Sequence, residues 1–518
     1  MKAAEFLAGI DAGTTGTTVM LVDLEGNQAG SAYREYPCIY PHPGWVEQNI
    51  ELVWQKICEA SQEVIATTGV DPCQIRSIGI SSQRGTFVCV DAAVNPLHNS
   101  IVWNDTRATS QAAKLEQKID AEHYQAITGM PISALWAAPK IMWLIQEHPE
   151  IMDNCYKIIN GQEFLLNRLG AETLYADPSS LTLNGMMAID RLEWSQEIIS
   201  AIGLSADKFP RMTTPAHQEG VISNDAALAT GFASGTPICR GGGDQQCAAI
   251  GAGVIREGMA EITVGTAAMM VAHIDKRRQN PDQEAYTGGH AFPHKWDLEG
   301  GAFATGACLR WWRDVFGQPE KQASEKLNLD VFDLLTTEAS KAPAGSKGHI
   351  FFPFMNGQVT PTYDNTARGG SLGLTLAHDR PAMIRSVLEG TGYELRMVVE
   401  ALEKVLGSPF DILRLTGGGA KSTLWLQIQA DIYGRLVETL RNPECTTFGA
   451  AILGGAGTGV FNSIEEAVQS LVKTDLIIEP NIPRHKLYSE LFDIFKDTFL
   501  ALRERKVYER LSKIQDRI

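Results

Sequence analysis

The 518-residue sequence lacks the common signatures for handling a nucleotide or a metal. It has no G-x-x-x-x-G-K-[ST], which excludes a P-loop. No G-x-G-x-x-G opens a helix after a strand, which excludes a Rossmann site. The spacing in Gly455-Ala456-Gly457-Thr458-Gly459 does not fit one and reads as tight packing. Neither an H-E-x-x-H nor a Cys/His cluster points to zinc. The nine cysteines, at 38, 58, 73, 89, 155, 239, 247, 308 and 445, form no C-x-x-C pair. Their odd number and apolar settings, as around Cys89, are those of reduced thiols. No uninterrupted apolar run reaches about 18 residues, so no membrane-spanning helix is expected. The longest stretch, 449–461, is broken by five glycines. No signal-like leader is read before the first strand, and a cytoplasmic location is expected. Positive charge is also scarce: the net charge is −16. That excludes a broad nucleic-acid-binding face, but a nucleotide needs only a local positive field.

A chain of this length exceeds one ordinary core, so two domains are expected. Strands and helices alternate, which favours α/β layers. Two matching hairpins stand out. Leu7–Asp23 and Met259–Ala272 each read as apolar strand, Gly-Thr turn, apolar strand. Glycine lets backbone N–H groups approach an anion, and the adjacent hydroxyls add donors. Two such turns suggest two lobes gripping one polyphosphate. Between and after the hairpins, helices are expected at 49–68, 137–148, 380–406 and 421–434. Strands are expected at 77–82, 87–91, 101–105, 349–354 and 411–416. A closing surface helix over 485–505 would bury Leu487, Leu491, Phe495, Phe499 and Leu502. The segment Lys276–Pro293 reads as a surface insertion, and the domain boundary is placed near residue 250.

Four glycine-bearing motifs punctuate this plan. They are Asp11-Ala12-Gly13-Thr14-Thr15, Gly241-Gly242-Gly243-Asp244-Gln245-Gln246, Gly265-Thr266-Ala267, and the turn from Thr416 through Gly417, Gly418 and Gly419 to Ser422. The last runs from a strand end into a helix start, where bare glycines can take a nucleotide against backbone donors. With Gly44-Trp45-Val46-Glu47-Gln48, Trp103-Asn104-Asp105-Thr106-Arg107 and Arg310-Trp311-Trp312-Arg313-Asp314, these motifs resemble the FGGY carbohydrate kinases. The resemblance spans nearly the whole chain, in order.

The resemblance implies two ribonuclease-H-like (actin-like ATPase) domains with a cleft between them. Residues 1–250 would mainly bind sugar and carry the first phosphate hairpin, and 251–518 would mainly bind ATP. It implies transfer of the γ-phosphoryl group of ATP, with Mg²⁺, to a hydroxyl of a small sugar, ketose or polyol. By position, Asp244 matches the catalytic base and Asp11 the carboxylate that helps place Mg²⁺. Thr14, Thr15, Gly265 and Thr266 match the phosphate turns, and Gly418 and Ser422 the adenosine side. A carboxylate in hydrogen-bond reach gives the hydroxyl proton somewhere to go. Phosphoryl transfer otherwise depends on alignment and charge neutralisation.

The acceptor end matches no familiar pocket. Gln83, Arg84, Asp105 and Gln245 are the candidate hydroxyl ligands. Gly85 and Leu135 stand where the glycerol kinase pattern has a glutamate and a tyrosine, and Thr18 where it has an arginine. The Met-His pair of the xylulokinase pattern is replaced by Arg84-Gly85. The layout also resembles autoinducer-2 kinases. A non-catalytic actin-like sugar sensor is the alternative from another class. Plainer roles remain open for several residues: a helix cap for Asp244, an Asx-turn for Asp11, a structural ion pair for Arg84, and core packing for Trp143, Trp311 and Trp312. The oligomeric state is open, with a homodimer among the options.

Overall fold

The computed structural model describes residues 4–278, 280, 282, 284–515 and 517. Two mixed sheets form its frame. The first contains β1 (Phe6–Ala12), β2 (Gly16–Asp23), β3 (Gln28–Glu35), β4 (Ile75–Ser82), β5 (Gln218–Val221) and β6 (Pro237–Gly243). Their order is β5-β6-β4-β1-β2-β3. The second contains β7 (Met259–Val264), β8 (Ala268–Ile274), β9 (Tyr286–Gly289), β10 (Trp296–Ala302), β11 (Ile412–Thr416), β12 (Leu436–Leu440) and β13 (Thr474–Ile478). Their order is β9-β10-β8-β7-β11-β12-β13.

The two orders superimpose. In each sheet three antiparallel strands are followed by two parallel ones and an antiparallel edge strand. β9 is the one addition. The expected α/β duplication is therefore present as a repeated strand topology. The two turns correspond as well: Ala12 pairs with Thr17 across the first hairpin, and Val264 with Ala268 across the second.

Local chemistry sets the helix ends. Helix α1 (Ile50–Thr68) starts where the Asn49 side chain accepts from the N–H groups of Glu51 and Leu52, and stops at left-handed Gly69. Its Val53, Ile57, Ala60 and Val64 recur at helical spacing and pack under the first sheet. Three further helices, α2 (Asp244–Gly251), α3 (Thr305–Phe316) and α4 (Arg380–Leu406), follow in chain order. Then come α5 (Thr423–Tyr433), α6 (Cys445–Gly457) and α7 (Ile482–Glu504).

Helices α2 and α6 occupy equivalent places, each following the second parallel strand of its repeat, β6 or β12. They cross between the sheets. Phe448, Ala450, Ala451 and Leu453 of α6 pack with Leu7, Met20 and Val22 of the first sheet. Ala248, Ala249 and Ala252, in and after α2, pack with Met259, Val271 and Leu440 of the second. Glycines permit the crossing. A Cβ on Gly449 would collide with the Cys247 carbonyl, and one on Gly251 with the Cys445 carbonyl. A Cβ on Gly79 or Gly9, in β4 and β1, would collide with the Ala450 or Thr447 carbonyl of α6. The glycines from 449 to 457 are thus packing, as the spacing suggests, whereas Gly459 has nothing within 4 Å and turns the chain at φ +77°.

Three expectations differ in detail. The strand expected at 101–105 reduces to Ser100–Ile101, because Asp105 turns the chain by accepting from the Arg107 N–H and the Val46 N–H. The last long helix closes the second core with one face, as expected, through buried Phe495 and Phe499 and the packed Leu491 and Leu502, but Tyr488 and Phe492 are buried beside them and Leu487 is turned outward. Within 276–293, the described part includes β9, which extends the second sheet; positions 279, 281 and 283 lie outside the described residues.

Gly449→Ala is expected to destabilise the fold by about 1–3 kcal/mol, the usual cost of overpacking a backbone contact. Gly370→Ala, whose Cβ would meet nothing within 4 Å, is the neutral control. Thermal unfolding of both variants checks this. Equal melting temperatures would contradict the packing account.

Candidate active site

The first hairpin turn and the ends of β4 and β6 lie side by side, with Ala12 paired to Ser82 and Ser82 to Gly243. In the first turn, the Gly13 N–H donates to the Gly16 carbonyl at 3.0 Å. Thr14 is held by a ring of side chains. Its hydroxyl donates to Gln83 Oε1 at 2.9 Å and accepts from Trp103 Nε1 at 3.0 Å. Gln83 Nε2 donates to Gln48 Oε1 at 2.7 Å, and Gln48 Nε2 donates back to the Thr14 carbonyl. Thr15 is exposed at the tip. Gln83, expected as an acceptor ligand, therefore spends its amide on shaping the first hairpin turn.

The second turn sits on the start of α3. The N–H groups of Gly306 and Ala307 donate to the carbonyls of Gly265 and Thr266, each at 3.0 Å. Arg310 Nη2 donates to Thr266 Oγ1 at 3.1 Å. Beside it opens a cavity of about 480 Å³, lined by Gly265, Thr266, Gly306, Gly418, Gly419 and Ser422 among others. The hairpin and the glycine turn, 150 residues apart in sequence, thus share one cavity. Gly417 lies at φ +74°, and a Cβ on Gly419 would strike Val264. Ser422 caps α5 by accepting from the Trp425 N–H at 3.3 Å. Sequence reasoning gave no site role to Arg310, Asp330, Phe332 and Asp333, which also line the cavity. Arg310 stands in a motif already singled out, whereas nothing local marks the other three.

Asp244 opens α2 at the end of β6, with its side chain 27% exposed. Burial raises its pKa, and Arg84 opposes the shift. Arg84 Nε donates to Asp244 Oδ1 at 3.1 Å. The other edge of the same guanidinium meets Glu299 on β10, with Nη1 to Oε1 at 2.5 Å and Nη2 to Oε2 at 2.9 Å. The ion-pair role considered for Arg84 is thus present, and Glu299 is a residue that the sequence reading missed. Gln246 Nε2 donates to Glu299 at 2.8 Å and to Asp297 at 2.9 Å. Burial, and then Glu299, push the Asp297 carboxyl up to about 7. Gly85 lies at φ +67°, and a Cβ there would meet Leu183, so backbone geometry accounts for the glycine.

Asp11 lies at the end of β1. Burial pushes its carboxyl up to about 7, and the negative charges of Asp244 and Glu444 add to the shift. Its Oδ1 is buried without a hydrogen-bond partner. An orphaned acidic oxygen facing like charge fits a cation. Among the described residues, no three acidic, His or Cys side chains are grouped to hold a metal. Mg²⁺ is commonly held by one or two carboxylates together with phosphate oxygens. Gln245 Oε1 is also buried without a partner, and the Gln245 N–H donates to Asp244 Oδ1 at 2.8 Å. Asp105 is different. It is fully buried, and its oxygens accept from the Val46 N–H at 2.5 Å and from Arg107 at 2.8–3.0 Å. It holds the loop that carries Trp103 and leaves no open oxygen for a ligand.

The chain matches the FGGY family of carbohydrate kinases in both parts: the N-terminal domain over residues 6–251 and the C-terminal domain over 260–458. It is similar to a xylulose kinase of Bacillus subtilis (28% identity, covering 96% of this chain and 97% of that one). A glycerol kinase of Thermococcus gammatolerans is 30% identical, covering 93% and 96%. Among solved structures, a gluconate kinase from Lactobacillus acidophilus superimposes with a TM-score of 0.87 at 26% identity, covering 96% and 98%.

Asp11→Asn tests the electrostatics. The folded-state value near 7 lies above the ordinary 3.8, so the folded protein loses stability as pH rises from about 4 to about 7. Removing the charge is expected to stabilise the protein at pH 8 by on the order of 2–4 kcal/mol, with the gain fading toward pH 4. Denaturant unfolding at several pH values measures it. A gain independent of pH would contradict the assignment.

Proposed function

Because the chain belongs to the FGGY family of carbohydrate kinases, we propose that its cleft moves the γ-phosphoryl group of ATP to one hydroxyl of a small sugar, ketose or polyol, with Asp244 as general base. The enzyme class, a phosphotransferase acting on a sugar hydroxyl, follows from the family and its kinase relatives. The base assignment rests chiefly on one observation: Asp244 is the partly exposed carboxylate at the start of α2, held by Arg84 and by the Gln245 N–H.

In this reading the residues divide the work. Asp244 Oδ accepts the hydroxyl proton as the acceptor oxygen attacks phosphorus. Arg84 keeps that carboxylate ionised and aimed. Gln245, with an unspent buried oxygen, takes an acceptor hydroxyl. Backbone N–H groups of Thr14, Thr15 and Thr266, next to the Gly13 and Gly265 N–H groups that close the two turns, hold the phosphate chain from both sides. Gly418 and Ser422 belong to the cavity wall on the adenosine side, beside Arg310 and Phe332. Asp11 holds Mg²⁺, which neutralises phosphate charge when bound. Gln83 and Asp105 act through the loops they brace, Gln83 on Thr14 and Asp105 on Val46 and Trp103.

The division into a mainly sugar-binding 1–250 and a mainly ATP-binding 251–518 is part of the same reading, as is a cytoplasmic setting. Among the described residues no helix is long and apolar enough to cross a membrane. A linear acceptor of the autoinducer-2 type belongs in the same panel, since a relative of that name is 28% identical over 94% of this chain.

ATP turnover over a panel of ketoses, polyols and sugar acids tests the reading. At least one acceptor should stimulate ADP release. Asp244→Asn is expected to lower that turnover by about 10²–10⁴-fold and to leave ATP affinity unchanged. Full activity in the variant would assign the base elsewhere. Absence of acceptor-dependent turnover with ATP still bound would favour a sensor.

A further inference from the structure

Arg84 carries five N–H donors. Three are spent: Nε on Asp244, and one each from Nη1 and Nη2 on the two oxygens of Glu299. The fork that would read a carboxylate in two-point fashion is therefore already filled by a protein carboxylate. Glu299 comes from the second sheet and Arg84 from the loop after β4 in the first, so the pair also ties one lobe to the other. Both side chains are buried, at 2% and 4% exposure. Gln246 of α2 holds Glu299 in place from the side, at 2.8 Å. Gly243 lets the Arg84 stem lie against the end of β6, where a Cβ would sit 2.5 Å from its Cδ.

The charges around Arg84 point the same way. One guanidinium faces Asp244 and Glu299, with Asp297 next along β10. The cations around the Trp103 loop are committed as well. Lys140 Nζ donates to the carbonyls of Val102 and Trp103, at 2.8 and 2.7 Å. Arg107 pairs with Asp105 at 2.8 Å and with Glu47 at 2.9 Å. An acceptor that brought its own carboxylate would meet negative charge with its natural partner taken. An uncharged acceptor needs only the two remaining Arg84 N–H groups and the free Gln245 oxygen.

We propose that Glu299 is a positioning residue that reserves Arg84 for Asp244 and so restricts the acceptor to uncharged hydroxyl compounds. This rests on the kinase reading above and narrows it to a substrate class: neutral ketoses and polyols, with aldonates such as gluconate rejected. The distinction matters because relatives with either kind of name resemble this chain about equally, the xylulose kinase at 28% and a Bacillus subtilis gluconokinase at 29%.

The test uses the full-length wild type and Glu299→Gln, which keeps size and removes charge. D-gluconate binding is titrated calorimetrically, and turnover is measured over the neutral panel. Wild type should bind gluconate weakly and prefer every productive neutral acceptor to it. Glu299→Gln should bind gluconate at least tenfold more tightly and lose at least tenfold in kcat with neutral acceptors. Wild-type preference for gluconate overturns the inference, whether or not the variant folds. A folded variant with unchanged gluconate affinity overturns it too. A wild type that turns over no acceptor counts against the kinase reading instead, and the gluconate titration then still decides the role of Glu299.

Discussion

The architecture depends on one backbone contact. Helices α2 and α6 lie so close that a carbonyl of each occupies the space where a Cβ of the other would be, at Gly251 and Gly449. Each helix leaves the sheet of its own repeat and packs on the opposite one. A crossing this tight admits no side chain between the helix backbones, and it packs the two repeats directly against each other. It also sets the site, because α2 begins with Asp244. The residue read as the base stands at the near end of the element that joins the lobes.

From that anchor the cleft is built by symmetry and then made asymmetric by chemistry. Equivalent strands supply two equivalent turns, Gly13–Thr15 and Gly265–Ala267. The first is braced by Gln83, Gln48 and Trp103, and the second rests on the start of α3. The acceptor end has no such twin. There the second lobe sends Glu299 across to Arg84, and Arg84 reaches Asp244. Negative charge is concentrated at Asp11, Asp244, Asp297 and Glu299, with burial raising the pKa of the first three. Such an acidic floor favours a cation and an ionisable proton acceptor in the same place.

Much of this was legible in the residues. The Gly-Thr hairpins announce themselves because apolar strands flank the same short Gly-Thr turn twice, although neither Gly13 nor Gly265 lies at positive φ. The helix Arg380–Leu406 is readable from periodicity and its Asp379 and Gly407 ends. Asp244 is conspicuous after three glycines. Glu299 is not. In Trp296-Asp297-Leu298-Glu299 the acids alternate with apolar residues, the pattern of a strand with one wet face. Here that face is covered by the other lobe, and no local pattern encodes what a distant segment will cover. Asp105 misleads for a related reason: a polar loop acid looks available until Val46 and Arg107 claim it. The last long helix shows the limit of stripe reading, since Leu487 and Tyr488 offer neighbouring stripes and aromatic volume selects the second.

The central claim is that the two turns hold one phosphate chain with its terminal group facing Asp244. A crystal structure with a non-hydrolysable ATP analogue and Mg²⁺ measures it directly. The account predicts the β- and γ-phosphates between Gly13–Thr15 and Gly265–Thr266, the adenosine in the cavity beside Gly418, and room for an acceptor oxygen between the γ-phosphorus and Asp244 Oδ. A γ-phosphate bound away from either turn, or with Asp244 turned from it by a closed lobe contact, would contradict it.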